Sequence, residues 1–262
     1  MPSSKSLSLG TAGCNFTCDF CQNWQLSQAK PSNKTSYLPP QKITQLAHEL
    51  GCKSIACTYN EPSIFFPYAK DIALKDRSLK HIWVSNGFFS AFTCKELPHF
   101  VDAVNIDLKS FNREFYKQIG GDLDVVCENL IKLHKAGVWI EITTLLIPDR
   151  NDSPKELKAI ARFIAENLSP SVPWHISAFH PAYKATNLAP TSANSLQNAF
   201  NFGKEAGLFY VYLGNLGLPN PTHCPQCDNL LIQRTYYDTK IVGLDSSFSC
   251  STCKQVLEGV FL

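Results

Sequence analysis

Short apolar segments alternate along this chain with longer segments whose apolar residues recur every three to four positions. The short segments predict β-strands and the longer ones amphipathic helices, since side chains repeat with periods of about 2 and 3.6 residues in these structures. The predicted strands are 5–9, 54–58, 81–85, 103–108, 139–147, 174–179 and 209–213. The predicted helices are 43–50, 63–74, 93–100, 124–136, one that begins after Ser153, and 195–206.

Several of these helices have recognisable ends. Gly51 and Gly137 are typical C-terminal stops, and Ser153 before Pro154 suits an N-cap followed by the first helical position. Strands and helices that alternate at this spacing predict parallel βαβ units. We therefore predict an α/β fold, a partial (βα)6 barrel open on one side, with the seventh strand near Tyr210 at the opening. Catalytic groups should lie at the carboxyl ends of the strands.

The pattern changes after Gly217. Leu-Pro-Asn-Pro at 218–221 interrupts it, and a cysteine-rich segment follows. We predict two domains, a barrel over 1–217 and a small metal-binding tail over 218–262. A chain of 262 residues with 44% hydrophobic content is long enough to bury a sizeable core.

Charge and composition narrow the class of partner. The 24 basic and 22 acidic residues leave a net charge of +2, and no basic run stands out, so a nucleic-acid partner is disfavoured. The sequence has no signal segment and no apolar run long enough to span a bilayer, so we predict a reduced, cytoplasmic protein with no membrane partner. Met1 lies 13 residues before Cys14, and the sequence leaves open whether the N-terminus is truncated.

The chain contains eleven cysteines, of which seven fall in two clusters with metal-type spacing. The other four lie in apolar or helical surroundings and are predicted to be buried as small hydrophobic residues. These four are Cys52, Cys57, Cys94 and Cys127.

Cys14, Cys18 and Cys21 form the first cluster, with the spacing C-x3-C-x2-C. A closed metal site uses four protein ligands, so three thiolates on one loop favour a [4Fe–4S] cluster whose fourth iron is open to a small molecule. A disulfide would leave an odd thiol. A zinc site would need a fourth ligand, and the nearest histidine, His48, is far along the chain.

The segment TAGCNFTCDFCQNW resembles the cluster loop of the radical S-adenosylmethionine (SAM) superfamily. From about Leu7 to the C-terminus the chain resembles the pyruvate formate-lyase-activating-enzyme-like branch, and most of all the radical SAM member of the AmmeMemoRadiSam system. The resemblance implies a [4Fe–4S] cluster that binds SAM and a low-potential electron donor of the flavodoxin or ferredoxin type. It also implies reductive cleavage of SAM to methionine and a 5′-deoxyadenosyl radical.

Polar residues follow several predicted strands, where a barrel would bring them to one mouth. After the second strand, the resemblance implies that Glu61 contacts the amino group of SAM, with Tyr59 and Asn60 in place of the family's glycines. The alternative is an acid at a helix N-terminus, favoured by the helix dipole. After the third strand, Asn86 matches the branch's pattern, with Val84 where relatives carry an acid, and an ordinary Asn-Gly turn is the alternative.

Asp107 and Lys109 follow the fourth strand and should lie on one face of it, because side chains alternate along a strand. They resemble the Asp-x-Lys motif that contacts SAM or its methionine product, and a structural ion pair is the alternative. His180, after the sixth strand, matches a histidine that relatives place near SAM, although a lone histidine is often structural. Lys109 and the three cysteines of the first cluster are the predicted catalytic residues.

The second cysteine cluster consists of two C-x2-C knuckles separated by 22 residues. This pattern predicts a closed, zinc-ribbon-like site with four thiolates, which could supply much of the folding free energy of a tail with little core. An iron site or an auxiliary iron–sulfur cluster is the alternative. The predicted ligands are Cys224, Cys227, Cys250 and Cys253.

The resemblance implies a radical SAM enzyme, an oxidoreductase of the activating-enzyme type. Its radical would abstract hydrogen from a partner protein or from a substrate that the sequence does not identify. A second class is an RNA-binding or RNA-modifying protein whose zinc ribbon contacts nucleic acid, which the absence of a basic run disfavours. A third is a non-catalytic iron–sulfur scaffold. The sequence leaves the oligomeric state open.

Overall fold

A computed structural model describes residues 1–30, 37–236 and 238–261 of the chain, and its main feature is a seven-stranded parallel sheet. The strands pair in sequence order, each with the next. They are β1 (Ser6–Leu9), β2 (Ser54–Cys57), β3 (Lys80–Ser85), β4 (Ala103–Asp107), β5 (Trp139–Leu146), β6 (Trp174–Ala178) and β7 (Val211–Gly214). The predicted α/β class and parallel βα order are confirmed.

Helices occupy the connections between these strands, as parallel pairing requires. In the described residues they are α1 (Trp24–Ser27), α2 (Pro40–Glu49), α3 (Phe66–Lys75), α4 (Ala91–Glu96), α5 (Arg113–Gln118), α6 (Leu123–Lys135), α7 (Pro154–Phe163) and α8 (Ala193–Glu205). The predicted strands and helices begin and end within four residues of these bounds, and α1 and α5 were not predicted. Ser153 caps α7 as expected, because its side chain accepts a hydrogen bond from the Glu156 N–H. None of the helices described is both long and apolar enough to cross a lipid bilayer.

The two faces of the sheet differ in chemistry, because successive side chains point to opposite faces. The outer face packs under the helices with fully buried apolar side chains, among them Trp83, Ile106, Ile142 and Ile176. The inner face is only half-buried and carries polar residues such as Asn105, Glu141, Thr143 and His175. The sheet is thus anchored on one side and offers a polar, partly open surface on the other.

The tail forms a separate antiparallel sheet of three strands. These are β8 (Thr222–His223), β9 (Leu230–Thr235) and β10 (Asp238–Ile241). Its small core also includes Tyr210, the residue before β7, so the tail packs against the last strand of the large sheet. The division of the chain into domains over 1–217 and 218–262 stays a prediction.

The four cysteines outside the two clusters lie in the body of the fold. Cys52, Cys57 and Cys94 are buried, and Cys127 is half-buried on α6. None of them is in a disulfide. Their predicted role as small hydrophobic residues fits these positions.

Candidate active site and metal centre

The loop between β1 and α1 carries the first cysteine cluster. All three cysteines are free thiols; Cys18 is buried, whereas Cys14 and Cys21 are half-buried. Burial raises the pKa of Cys18 to about 11, the positive charge of Lys109 opposes this, and the nearby Cys21 and Cys14 thiolates raise the pKa further. The three thiols therefore lie within one another's electrostatic range. Three soft thiolate donors on a partly buried loop fit the ligand set of an iron–sulfur cluster.

Asn60 ties this loop to the end of β2. Its side-chain amide donates to the Gly13 carbonyl (2.7 Å) and to the Thr11 hydroxyl (3.1 Å), while its oxygen accepts from the Thr11 N–H (3.2 Å). A Cβ on Gly10 would lie 2.6 Å from the Thr58 carbonyl oxygen, so only glycine allows this close approach. Asn60 was singled out because it is a polar residue at the end of a predicted strand. The sequence suggested that it replaces a glycine of the family, and it did not suggest that Asn60 holds the loop.

Tyr59, next to Asn60, has a backbone φ of +73°. This left-handed conformation is one that glycine adopts without strain and that a bulky residue rarely takes. This backbone conformation suits the glycine that the family resemblance implies at this position. The Tyr59 side chain itself is largely exposed.

Asn86 connects the end of β3 to the same loop. It is buried, and its amide donates to the Asn15 side-chain oxygen (2.7 Å), while the Asn15 amide donates to the Phe88 carbonyl (2.7 Å). Asn15 directly follows Cys14, so this pair of asparagines positions the first cysteine. The role of Asn15 was not predictable from the sequence, because its partner lies 71 positions away.

Glu61 is almost completely buried, and both of its carboxylate oxygens accept hydrogen bonds. Oε1 accepts from the Ser63 N–H (3.0 Å), Oε2 accepts from the Asn86 N–H (2.8 Å), and the Ser85 hydroxyl reaches both oxygens. Burial raises the pKa of Glu61, and these hydrogen bonds oppose the rise. The carboxylate caps the turn after β2 and joins it to β3. A contact between Glu61 and SAM stays a prediction.

We expect the Glu61→Gln substitution to destabilise the protein. Each carboxylate oxygen accepts one backbone N–H, so the amide nitrogen of glutamine must face one of those donors and leave it unpaired. A buried unpaired donor costs about 1–3 kcal/mol, which corresponds to a melting temperature roughly 3–10 °C lower. Anaerobic thermal unfolding measures this loss, with the exposed Glu128→Gln as the control. Unchanged stability together with weakened SAM binding would instead support direct contact with SAM.

Asp107 and Lys109 form an ion pair at the end of β4, with 2.9 Å between Oδ2 and Nζ. Side-chain exposure is 35% for Asp107 and 16% for Lys109. Burial would lower the pKa of Lys109, but the Asp107 carboxylate outweighs burial and raises the pKa. Burial raises the pKa of the Cys14 and Cys18 thiols, and the charge of Lys109 opposes that rise. The structure thus brings the predicted Asp-x-Lys pair and the cysteine loop together.

A second ion pair braces the far side of the loop. Arg150, after β5, makes two parallel hydrogen bonds to the Asp19 carboxylate, at 2.8 and 2.9 Å. The Lys184 N–H, after β6, donates to the Asp19 carbonyl (2.9 Å). These partners are separated by more than a hundred residues in the chain, and no local pattern indicates such a contact.

His180 lies just past β6, as the strand pattern predicted, and its side chain is exposed. No hydrogen bond joins it to another residue of the described part of the chain. Its neighbour Tyr183 stacks on Trp24, with ring centroids 5.1 Å apart, so the segment after β6 reaches the cysteine loop. The predicted role of His180 near SAM stays a prediction.

The tail brings its four cysteines together. Their sulfur atoms all lie within 4.8 Å of one another, and no other group of three or more potential metal ligands in the described residues is as compact. Cys224 and Cys250 are buried. A backbone hydrogen bond from Cys253 lowers the pKa of Cys250 to about 6, which favours the thiolate that a metal requires. Four thiols at this spacing fit a single tetrahedral ion.

The residues after the second cysteine of each knuckle have left-handed backbones. Asp228 has a φ of +59° and Lys254 a φ of +64°. Glycine adopts this conformation without strain, which explains why other knuckles often have glycine at these two positions. His223 points its Nδ1 towards the Asp228 carbonyl (3.0 Å), and the four cysteines complete the compact group without it.

Comparison with known proteins agrees with this geometry. Residues 8–164 match the radical SAM superfamily. An uncharacterized protein of Methanocaldococcus jannaschii is 36% identical over 265 residues, which cover 98% of this chain and 78% of that protein. The match therefore includes both the cysteine loop and the tail.

Solved structures share the fold. A domain of pyruvate-formate lyase-activating enzyme from Bacteroides vulgatus superposes with a TM-score of 0.55 at 17% identity, over 62% of this chain and 99% of that one. Streptococcus suis SuiB bound to precursor peptide SuiA superposes with a TM-score of 0.61 at 14% identity, over 80% of this chain and 49% of that one. At these identities the comparison supports a common fold alone.

Proposed function

This chain belongs to the radical SAM superfamily, and we propose that it is an oxidoreductase of the pyruvate formate-lyase-activating-enzyme-like branch, most similar to the AmmeMemoRadiSam member. Cys14, Cys18 and Cys21 would hold a [4Fe–4S] cluster, which would supply the electron that cleaves SAM to methionine and a 5′-deoxyadenosyl radical. This radical would remove hydrogen from a partner protein or another substrate. The observation that carries this proposal is the loop of three free thiols, of which Cys14 and Cys18 lie within electrostatic range of Lys109 in the Asp107–Lys109 pair.

The chain's own residues bind and orient SAM in this proposal. Lys109 carries three N–H donors and uses one of them for Asp107, so the others can donate to the carboxylate of SAM. Asp107 uses Oδ2 for Lys109, and among the described residues no donor occupies Oδ1, which can accept from an ammonium or hydroxyl group. The positive charge of Lys109 also favours the thiolate forms that ligate iron.

Glu61 and Asn86 support SAM binding as positioning residues in this proposal. Their hydrogen bonds join the ends of β2 and β3 to the cysteine loop, which fixes the loop's distance from Asp107 and Lys109. His180 would reach SAM from the exposed rim of the mouth. The low-potential electron donor, of flavodoxin or ferredoxin type, would approach the same edge of the sheet.

For the tail we propose a structural zinc ion held by Cys224, Cys227, Cys250 and Cys253. The compact spacing of the four sulfurs supports one ion, because an iron–sulfur cube spreads its ligands over a larger volume. A site with four protein ligands leaves no open position for chemistry, so the ion would stabilise the tail's fold. An iron ion or an auxiliary cluster is the alternative metal.

Anaerobic reconstitution with iron and sulfide, followed by dithionite and SAM, tests the proposed function. We expect the wild-type chain to form 5′-deoxyadenosine and methionine in equal amounts. The Lys109→Met variant should assemble the cluster but cleave SAM roughly 10- to 100-fold more slowly, since a hydrogen bond to a charged group contributes about 1.5–3 kcal/mol. Chromatography measures both products. The exposed Lys117→Met variant is the control and should retain wild-type cleavage.

Two outcomes would contradict the proposal. A reconstituted wild-type protein that releases no 5′-deoxyadenosine would indicate the non-catalytic scaffold. Wild-type cleavage by Lys109→Met would mean that Asp107 and Lys109 form only a structural ion pair.

A further inference from the structure

A cavity of about 670 Å³ lies between the inner face of the sheet and the tail. Strands β3 to β7 line one side of it, and residues of β8, β9 and the C-terminal segment line the other. Its volume falls within the range typical of sites for small molecules. The tail is therefore one wall of this cavity.

The cavity begins directly below the proposed SAM site. Asn105 lines it, and Asn105 precedes Asp107 by two residues on the same face of β4. Two residues along a strand span about 7 Å, so the cavity begins one side-chain layer below the Asp107–Lys109 pair. A molecule in the cavity could thus approach a radical formed at the mouth.

Two acids line the cavity, Glu141 and Glu258 of the C-terminal segment, and Glu141 is paired with a histidine. Glu141, on β5, contacts the His175 ring on β6, with 2.6 Å between Oε2 and Nε2. Burial would raise the pKa of Glu141, but His175 outweighs it and the pKa falls to about 2. The His175 ring stacks on Tyr212 with centroids 5.2 Å apart, and the Tyr212 hydroxyl lies 2.7 Å from the Thr222 hydroxyl of the tail. One polar network therefore joins the barrel to the tail.

Arg234, on β9 of the tail, brings a positive charge into this wall. Its guanidinium lies over the Tyr212 ring, 5.5 Å from the centroid, and its Nη1 donates to the Thr222 hydroxyl and towards the Asn220 carbonyl. Within residues 1–30, 37–236 and 238–261, no carboxylate pairs with it. A guanidinium has five N–H donors, so Arg234 retains N–H groups that are free to bind a ligand. Parallel N–H groups of a guanidinium match the spacing of two oxygens of a carboxylate or a phosphate.

We propose that this cavity binds the substrate of the radical, and that the substrate is a small molecule whose carboxylate or phosphate group is held by Arg234. The inference rests on the proposed function and narrows its substrate to a small anion in place of a protein chain. The aromatic side chain of Tyr236 lines the same cavity and suits a planar or apolar body.

Three probes with one ring system test this proposal: 1-naphthoate, 1-naphthyl phosphate and the neutral 1-naphthol. Equilibrium dialysis against the cluster-loaded, zinc-bearing full chain measures their affinities. We expect at least one of the two anions to bind once per chain, about tenfold or more tighter than naphthol. The tighter anion identifies the group, carboxylate or phosphate.

The Arg234→Gln variant should lose this preference, with anion affinity reduced about tenfold and naphthol affinity changed less than about twofold. The Arg234→Lys variant keeps the positive charge but lacks the paired N–H donors of the guanidinium, so it should retain part of the preference for anions. This variant separates loss of charge from misfolding. Arg113→Gln, at an exposed ion pair on α5, is the control and should bind all three probes like the wild type.

Equal binding of the anions and naphthol, or an anion preference that survives in Arg234→Gln, would overturn the proposal. So would the absence of anion binding at millimolar concentration, which would favour a protein substrate. The dialysis needs neither reductant nor SAM, so its failure would leave the proposed radical chemistry standing. Conversely, a wild-type chain that binds the anions but never cleaves SAM would overturn only the proposed function.

Discussion

We expect the Cys18→Ala variant to lose its [4Fe–4S] cluster and all cleavage of SAM. Cys18 is the most buried of the three loop cysteines and lies between the other two in sequence. Two remaining thiolates cannot hold a four-iron cube, so the loss should be complete rather than partial. Iron and sulfide content, the EPR spectrum of the reduced protein and 5′-deoxyadenosine formation measure the effect.

A matched control separates this effect from the general cost of removing a buried thiol. Cys94 is also buried, but it lies on α4 and its sulfur faces the Asn129 carbonyl (3.9 Å). The Cys94→Ala variant should keep its cluster and cleave SAM. A SAM-responsive EPR signal in Cys18→Ala would show that this cysteine does not ligate iron.

The second large effect concerns the tail. We expect Cys250→Ala to lose the bound zinc, about one ion per chain, and with it the folded tail. Structural zinc in small domains contributes about 10–16 kcal/mol of binding free energy at neutral pH, whereas the core of this tail consists of a few residues around Leu231 and Ile232. Metal analysis and limited proteolysis measure the loss. The cluster in the barrel loop should remain intact.

This variant also tests the link between the tail and the cavity. Thr222, which contacts Tyr212 and Arg234, lies two residues before Cys224, so loss of the metal should displace the wall that carries Arg234. The Cys127→Ala variant removes a half-buried thiol from α6 and should leave zinc and proteolysis unchanged. A tail that resists protease without metal, or one that binds iron and sulfide in place of zinc, would contradict the assignment.

The order of strands and helices was predictable from the sequence because it depends on local periodicity. Alternation in β3 and β5 and the cap at Ser153 are properties of short segments, and the structure has them where expected. The short helices α1 and α5 were missed, since four and six residues span fewer than two helical turns. Helix α4 is equally short but continues into a 3₁₀ turn over Leu97–His99. The spacing of the cysteines likewise divided seven of them into two groups, and the structure brings the four of the tail together.

The roles of individual polar residues were less predictable. Glu61 and Asn86 were singled out because each follows a predicted strand. Their roles, however, depend on the residues to which they are hydrogen-bonded. Glu61 is surrounded by donors from the ends of β2 and β3, and Asn86 holds Asn15 of the cysteine loop. The Asp19–Arg150 pair has no local pattern at all, because its members are 131 positions apart.

By itself, the sequence determined the features that depend on neighbouring residues: the alternating elements, the two cysteine spacings and the Asp-x-Lys pair at the end of one strand. Tertiary structure alone decided which distant groups meet. It buried the Glu61 carboxylate, and it brought Arg234 of the tail against Tyr212 of the barrel to build the wall of a cavity. The physical reason is that periodicity and capping act within a few residues, whereas burial and hydrogen-bond pairing depend on how separate elements pack.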